Sequence, residues 1–256
     1  MRQRLGQHFL RDPRIAGEIV AALPPDPGRV IEIGPGQGAL TRPLLDRYAT
    51  VRVIELDRRL ASGLAGRLSR PAGLEVIQGD AVDFDLDRLA SQGPWLVAGN
   101  LPYSVATPIV RRLMVRLDLF KTLVVMVQLE VAERMVARAE APARGLLSLE
   151  VEAHSRAEVL FEVPPDAFAP VPEVTSAVLR FTLIEPPEGI ERVLRLASAA
   201  FSMRRKTMAN GLAPLAGREV VQGWMSTADV DPGRRPQDLQ LADWLRLAAA
   251  APVGLS

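Results

Sequence analysis

The feature that most constrains the fold is a glycine-rich turn between a short apolar strand and an amphipathic helix. Residues Arg29–Ile33 predict a buried strand, the run Gly34–Ala39 follows it directly, and a helix is predicted from about Ala39 to Tyr48. Glycines at such a turn let a ligand approach the backbone, and the first N–H groups of the helix point at it. The run also fits the dinucleotide-binding pattern G-x-G-x-x-G/A. The sequence therefore predicts a strand–turn–helix unit that binds a nucleotide-like ligand.

Similar units repeat through the first two-thirds of the chain, which indicates βαβ units and a parallel sheet with helices on both faces. Two later strand-like segments, Ala157–Val163 and Ser176–Ile184, are joined by a proline-rich loop and predict an antiparallel addition. The predicted fold class is α/β, with a Rossmann-like sheet of seven strands that is mostly parallel. The other strands are predicted at Val51–Glu55, Leu74–Gln78, Trp95–Ala98 and Thr122–Val127.

A cluster of helix-breaking residues, Glu185-Pro186-Pro187-Glu188-Gly189, marks a predicted domain boundary. The pattern beyond it is helical. We therefore predict a large α/β domain at residues 1–186 and a small α-helical domain at residues 187–256. The predicted helices of the small domain are Ile190–Phe201, Thr207–Leu212, Glu219–Met225 and Leu239–Ala249.

Composition excludes several classes of protein and site. The chain is 48% hydrophobic, and none of its apolar runs approaches the ~20 residues of a membrane span. It has no cysteine, which removes disulfides, thiolate metal sites and cysteine nucleophiles together. With only two histidines, a histidine-rich metal site is excluded as well, so no metal is expected. We expect a cytoplasmic protein that does not bind membranes and is a monomer.

Positive charge is concentrated towards the C-terminus, although the net charge is only +1. From Arg192 onward there are nine basic and five acidic residues. Three adjacent cations, Arg204, Arg205 and Lys206, follow an apolar helix face. They suit a track of phosphates on a nucleic acid, and they are equally consistent with a solvated helix start.

Acidic residues at successive strand ends indicate what the glycine-rich turn binds. Glu55 ends the second strand, 21 residues after Gly34, where a carboxylate can accept hydrogen bonds from ribose hydroxyls. NAD and S-adenosylmethionine both fit that pattern. Glu32, inside an apolar strand, favours a cationic ligand such as S-adenosylmethionine over a pyrophosphate. Asp80, after the third strand, can accept from an adenine amino group or simply cap the next turn.

The run Gly99-Asn100-Leu101-Pro102-Tyr103 follows the fourth strand. Its amide can accept protons from an exocyclic amine, its proline fixes the backbone, and its tyrosine offers a face for stacking. Runs of this kind mark enzymes that methylate amino groups of nucleobases. A proline turn with a half-buried tyrosine would give the same pattern. Because the acids and this amide end four successive strands, we expect them to face one crevice.

The chain resembles the ribosomal RNA adenine dimethyltransferase family, and within it the bacterial branch that acts on small-subunit 16S rRNA. The matching stretches run in family order over nearly the whole chain. They are Leu5–Leu10, Ile31–Thr41, Ile54–Asp57, Gly79–Ala81, Gly99–Tyr103, Met126–Met135, Phe168–Val178 and Phe201–Met208.

The resemblance implies a set of residues that bind S-adenosylmethionine, and we assign Gly36 of the glycine-rich turn to the same set. The chain departs from the family in three places. His8 stands where the family often has Asn, and Ser104 and Ala106 stand where many members have Asn and Ser. The implied set is His8, Leu10, Gly34, Glu55, Asp80 and Asn100.

The mechanism that we infer for the target base uses the run after the fourth strand. The Asn100 side-chain oxygen and the Leu101 carbonyl accept the two amine protons, and Pro102 fixes that geometry. Tyr103 stacks on the base, and Phe168, which matches a family aromatic, packs on its other side. The methyl group is transferred from S-adenosylmethionine to the amine in a direct in-line displacement. This step depends on positioning and charge placement rather than on an acid, a base or a metal.

The resemblance also implies the substrate, which is a pair of adjacent adenosines in the 3′-terminal hairpin loop of 16S rRNA within an immature small ribosomal subunit. Each adenosine is dimethylated at N6. Three alternatives stay open: a large-subunit rRNA methyltransferase that confers antibiotic resistance, an assembly factor that binds rRNA without catalysis, and an NAD dehydrogenase. The intact Gly34, Glu55, Asp80 and Asn100 argue against a loss of catalysis.

Overall fold

The computed structural model describes residues 7–25, 28–203 and 205–252. The chain divides into two compact units. The first comprises Met1–Ala132 and Arg156–Leu183, and the second comprises Glu133–Ser155 and Ile184–Ser256. The sequence predicts one boundary after residue 186, and the structure adds Glu133–Ser155 to the second unit. That segment carries no breaker cluster of the kind found at residues 185–189.

The first unit is built on a seven-stranded sheet in the order β4-β3-β2-β5-β6-β9-β7, and β1 and β8 form a separate antiparallel pair. Strands β4, β3, β2, β5 and β6 run parallel to one another, and β9 is antiparallel to β6. The predicted α/β class and the mostly parallel sheet are therefore confirmed. The strands are β1 Phe9–Leu10, β2 Arg29–Ile33, β3 Thr50–Glu55, β4 Leu74–Gln78, β5 Trp95–Asn100, β6 Phe120–Gln128, β7 Ser155–Val163, β8 Phe168–Ala169 and β9 Ser176–Leu183.

Two helices of the first unit begin at side-chain caps. Asp12 precedes the first helix, with Pro13 in its first turn, and accepts hydrogen bonds from the backbone N–H groups of Arg14 and Ile15. Asp57 caps the third helix in the same way. The helices are α1 Pro13–Ala21, α2 Thr41–Arg47, α3 Arg58–Arg67, α4 Ala106–Met114, α5 Leu129–Val136, α6 Leu146–His154, α7 Ile190–Ser202, α8 Met208–Ala216, α9 Arg218–Thr227 and α10 Leu241–Ala250.

The middle of the sheet forms the core of the first unit. Residues Trp95–Ala98 of β5 and Leu123–Val127 of β6 are fully buried. Such continuous apolar strands are typical of parallel sheets that are covered on both faces. Each fully buried Leu or Val side chain stabilises the fold by about 1.5–3 kcal/mol relative to an exposed one. The strand ends are therefore held rigidly, which matters for the polar residues that follow them.

The second unit has its own apolar core, in which Trp244, Leu212 and Val193 are fully buried. Leu149 and Ala153 of α6 belong to this core, which explains why Glu133–Ser155 packs with the C-terminal helices. The predicted fold class includes a small α-helical domain, and this part of the fold-class prediction is confirmed. Across the described ranges, none of the helices is long and apolar enough to cross a membrane.

Candidate active site

The site lies where the strand order reverses. The chain runs from β2 outward through β3 and β4 and then returns to β5 on the other side of β2. In open α/β sheets, ligands bind beyond the carboxyl ends of the strands at such a switch point. Gly34 follows β2, and Asn100 ends β5, so the two loops that the sequence singles out flank the same crevice. A cavity opens there in the first unit.

The glycine-rich turn takes a conformation that side chains disfavour. Gly34 and Gly36 have φ angles of 68° and 56°, in the left-handed region that glycine enters without strain. A Cβ atom on Gly36 would lie 2.9 Å from the Phe9 ring, closer than a real Cβ approaches a ring carbon. Gly36 also donates its N–H to Glu55 Oε2 at 3.0 Å. The turn is thus shaped by glycine and tied to the acid at the end of β3.

Glu55 and Asp80 both combine a structural contact with a place in the cavity lining. The backbone N–H of Asp57 donates to Glu55 Oε1 at 2.9 Å, and that of Val82 donates to Asp80 Oδ1 at 2.8 Å. A carboxylate oxygen accepts more than one hydrogen bond, so these contacts orient the two groups and leave acceptor capacity for a ligand. The turn-capping interpretation of Asp80 and its ligand-binding interpretation are therefore compatible.

Glu32 is an almost completely buried carboxyl, with 1% of its surface exposed. Its pKa is raised from 4.5 to about 8. Burial is the largest cause, a hydrogen bond from Thr41 lowers the pKa, and the nearby charge of Glu55 contributes to the rise. Thr41 Oγ1 donates to Glu32 Oε2 at 2.6 Å, which joins the end of β2 to the start of α2. At neutral pH the group is therefore mostly protonated, unless a cation comes close.

The loop after β5 is held at several points. Asn100 Nδ2 donates to the backbone carbonyl of His8 at 2.9 Å. Because the amide nitrogen is used in this way, the amide oxygen is the atom that can accept from a ligand. The Leu101 N–H donates to the Met126 carbonyl at 3.0 Å, and Leu101 is buried. The Tyr103 hydroxyl lies 2.9 Å from Ser176 Oγ.

The cavity has a one-sided charge. Three of its lining residues, Glu32, Glu55 and Asp80, carry carboxyl groups. Among the described residues that line it, none is lysine or arginine. Such a lining favours a cation and disfavours a pyrophosphate, which would meet carboxylates without a compensating positive side chain. Within the described ranges, no group of three or more His, Asp or Glu side chains could hold a metal ion.

The structure brings most of the residues that the sequence proposed to this one cavity. Their roles in binding and catalysis stay predictions. The proposed residues that line the cavity are His8, Leu10, Gly34, Gly36, Glu55, Asp80, Asn100, Leu101, Pro102 and Tyr103.

Phe168 lies elsewhere. It is 3% exposed, faces Leu10 across the β1–β8 pair and is not part of the cavity lining. The hypothesis that it packs on a bound base therefore has no support from its position, because the β1–β8 pair packs it into the core.

Two residues that sequence reasoning left aside also shape the site. Phe9 restricts residue 36, and Thr41 holds Glu32.

The three adjacent cations belong to the second unit. Arg205 and Lys206 are exposed in the short connection between α7 and α8. Arg204 lies outside the described residues. An exposed pair of cations is compatible both with a phosphate contact and with a solvated helix start, so the proposed RNA-binding role stays a prediction.

Comparison with protein families and curated proteins points to one family. The family model described as "Ribosomal RNA adenine dimethylase" matches residues 1–251. Proteins named ribosomal RNA small subunit methyltransferase A from Methylococcus capsulatus and Pseudomonas aeruginosa are each 41% identical to the chain. The alignments cover 96% of this chain in both cases, and 96% and 93% of those proteins.

Two solved structures are also similar. A 23S rRNA methyltransferase, ErmE, superposes with a TM-score of 0.73 at 28% identity, covering 94% of this chain and 98% of that one. A dimethyladenosine transferase from Plasmodium falciparum superposes with a TM-score of 0.75 at 25% identity, covering 94% and 96%.

Proposed function

The chain belongs to the ribosomal RNA adenine dimethylase family, and from this premise we propose the substrate and the roles of the site residues. It is an rRNA adenine dimethyltransferase of the small-subunit type. Its proposed target is the N6 amino group of two adjacent adenosines in the 3′-terminal hairpin loop of 16S rRNA. The methyl donor is S-adenosylmethionine, and the proposed substrate particle is an immature small ribosomal subunit in the cytoplasm.

The observation that carries this proposal is the sharing of one cavity by two kinds of surface. One part is lined by Glu55, Asp80 and the glycine-rich turn, and the other by Asn100 to Tyr103. A methyl donor and an acceptor base must meet within van der Waals distance for transfer, and holding both in one crevice supplies that proximity. A cofactor-binding turn without the second surface would equally suit a dehydrogenase.

The residues present fit S-adenosylmethionine. Its sulfonium and ammonium groups are cations, and the lining offers carboxyls without a lysine or arginine among the described residues. The glycine-rich turn lines the cavity, and Glu55, which accepts from the Gly36 N–H, is proposed to accept from the ribose hydroxyls. When bound, S-adenosylmethionine supplies an already activated methyl group. No metal is proposed, because transfer from a sulfonium requires none.

Asn100 and Leu101 act on the acceptor nitrogen. The lone pair of an adenine amino group is conjugated into the ring, which makes the nitrogen a weak nucleophile. The Asn100 amide oxygen and the Leu101 carbonyl accept hydrogen bonds from its two N–H groups and favour a pyramidal nitrogen whose lone pair is available. The hydrogen bond from Asn100 Nδ2 to the His8 carbonyl supports this assignment, since it fixes which amide atom is the acceptor. Pro102 follows Asn100 and Leu101, and it restricts the backbone of Leu101 and its own backbone.

Tyr103 provides the stacking surface for the base. Stacking of a base on an aromatic side chain contributes about 1–3 kcal/mol. A base in a hairpin loop is already partly unstacked, which lowers the cost of bringing it into a pocket. In the second unit, Arg204, Arg205 and Lys206 are proposed to contact phosphates of the same RNA. The enzyme is proposed to act as a monomer.

The test is transfer of labelled methyl from S-adenosylmethionine to three substrates: immature small subunits, mature small subunits and large-subunit rRNA. Nucleosides are then separated and counted. We expect label in N6,N6-dimethyladenosine from immature small subunits alone. Label from large-subunit rRNA instead would favour the antibiotic-resistance type of activity, and the similarity to ErmE makes that comparison necessary. An absence of label in all three substrates would overturn the proposal and favour an assembly factor.

A further inference from the structure

The rings of His8 and Tyr103 form a stacked pair that lines the cavity. Their centroids are 5.7 Å apart, and the ring planes differ by 25°. This separation lies within the 4.5–7 Å range of interacting aromatic pairs. The pair brings together a residue next to β1 and a residue of the loop after β5, which are 95 positions apart in the sequence.

Both rings are anchored to the two ends of one loop. The Tyr103 hydroxyl lies 2.9 Å from Ser176 Oγ, and His8 Nδ1 lies 2.8 Å from the Pro170 carbonyl oxygen. A carbonyl oxygen only accepts, so Nδ1 carries the hydrogen, and the tautomer of His8 is fixed. Residues 170 and 176 bound the connection from β8 to β9. The loop therefore holds the two rings against one another.

The side chain and the backbone of His8 have separate contacts. Its carbonyl accepts from Asn100 Nδ2 at 2.9 Å, a contact that any residue at position 8 can make. Its ring contacts Tyr103 and Pro170. A substitution at position 8 therefore removes the ring contacts and leaves the backbone acceptor of Asn100 in place.

We propose that the His8 imidazole is a positioning residue that fixes the plane of the Tyr103 ring for stacking on the target base. The proposal rests on the proposed function, because it concerns the base that the enzyme methylates. His8 stacks on one face of the tyrosine ring, and the proposal assigns the opposite face to the base. A ring that is fixed before the base arrives loses less rotational freedom on binding than a free one. This role differs from the one given in the sequence analysis, in which His8 binds the cofactor and needs no contact with Tyr103.

The test compares His8→Asn with His8→Phe. Asparagine can still donate to the Pro170 carbonyl but has no ring, whereas phenylalanine keeps a ring and loses the donor. Two quantities are measured for each variant: kcat/KM for immature small subunits, and the Kd of S-adenosylmethionine by calorimetry. We expect His8→Asn to lower kcat/KM about three- to tenfold, in line with the loss of one aromatic pair. We expect the Kd to stay within about twofold, and His8→Phe to recover most of the loss.

The matched control is His154→Asn, the same change at the other histidine of the chain. His154 Nδ1 lies 2.9 Å from the Glu150 carbonyl in α6, in the second unit, and we expect wild-type kinetics from this variant. Three results would overturn the inference: wild-type kcat/KM in His8→Asn, a weakening of cofactor binding that accounts for its loss, or equal impairment of His8→Phe. Failure of the wild-type enzyme to methylate any particle would instead count against the proposed function itself.

Discussion

Glu32 shows how one buried carboxyl connects stability to the ligand. Its pKa is raised to about 8, with burial as the largest cause. A carboxyl that titrates near pH 4.5 in the unfolded chain and near 8 in the folded one binds an additional proton on folding between these values. The free energy of unfolding therefore decreases as pH rises through that window. A cation near Glu32 would favour its ionised form and offset this loss.

Replacing Glu32 with Gln tests this connection. The amide keeps an oxygen for the Thr41 hydroxyl and does not ionise. We expect the wild-type protein to lose stability relative to Glu32→Gln between pH 4.5 and 8, by up to about 5 kcal/mol for the full shift. Denaturant titrations at several pH values measure the difference.

Glu18→Gln is the control for the Glu32 experiment, because Glu18 is an exposed carboxyl on α1. It should leave the pH profile of the wild-type protein unchanged. If the profile for Glu32→Gln ran parallel to the wild-type profile, the pKa of Glu32 would be the same in the folded protein as in the unfolded chain.

Asn100 is the residue whose loss should separate chemistry from cofactor binding. In Asn100→Ala the acceptor for an amine proton disappears. Loss of one well-placed hydrogen-bonding group in a transition state typically costs 10²–10³-fold in rate. We expect the single-turnover rate on immature small subunits to decrease by about that factor, while the Kd of S-adenosylmethionine changes about threefold at most.

Asn100→Gln serves as the comparison for the alanine variant, since it keeps the amide and displaces it by one methylene. We expect a rate close to that of Asn100→Ala, because position rather than polarity is what matters. An unchanged single-turnover rate in Asn100→Ala would show that the amide oxygen does not act on the base.

Single residues also mark the limit of prediction from the sequence. Glu55, Asp80 and Asn100 could be grouped because the carboxyl ends of parallel strands meet at one edge of the sheet. The contacts of His8 and Phe168 could not be derived, since they depend on the pairing of β1 with β8, about 160 residues later. A two-residue strand has no periodicity from which to predict such a pairing.

Among the elements, the strands of the sheet were the most predictable. β2 and β4 have the predicted bounds, and β5 extends two residues beyond its prediction to include Asn100. The buried apolar runs and the turns after them supply the signal. α6 was not predicted, because Leu146–His154 is buried on most sides and its apolar residues show no helical periodicity.

The proposed contact of the α7–α8 connection with RNA can be tested through the salt dependence of RNA binding. Each phosphate contact by a cation contributes about 0.7–0.9 to the slope of log K against log salt concentration. We expect Arg205→Ala/Lys206→Ala to lower the magnitude of that slope by about 1.5 for binding to immature small subunits, measured by filter binding from 50 to 300 mM salt.

Arg195→Ala/Arg218→Ala is the matched control for the salt experiment, because it removes two other exposed cations of the second unit. Its slope should equal that of the wild-type protein. If the slope of Arg205→Ala/Lys206→Ala also equalled that of the wild-type protein, Arg205 and Lys206 would be a solvated helix start without phosphate contacts.

At the scale of the whole molecule, the discontinuity of the second unit determines where the chain can be cut. A chain ending at residue 186 keeps α6 but loses the helices against which it packs. Leu149 and Ala153, both fully buried in the complete protein, would become exposed. We expect this truncated chain to self-associate and to bind a hydrophobic dye, as measured by size-exclusion chromatography and fluorescence.

Two polar substitutions in α6 test the cause of that behaviour. Leu146→Gln/Leu149→Gln in the truncated chain should reduce dye binding and recover a monomer, because the exposed apolar face is then smaller. A monomeric truncated chain with a cooperative thermal transition and without these substitutions would show that Glu133–Ser155 does not depend on the C-terminal helices.

The discontinuity has a further consequence during synthesis on the ribosome. The first unit has all its strands once residue 183 has left the exit tunnel, because β9 is the last strand of its sheet. α6 is synthesised about 35 residues before α7 begins and must wait for it. A nascent chain therefore completes the strands of the first unit first, while the apolar helix α6 remains uncovered and accessible to chaperones until the helices that pack on it have been synthesised.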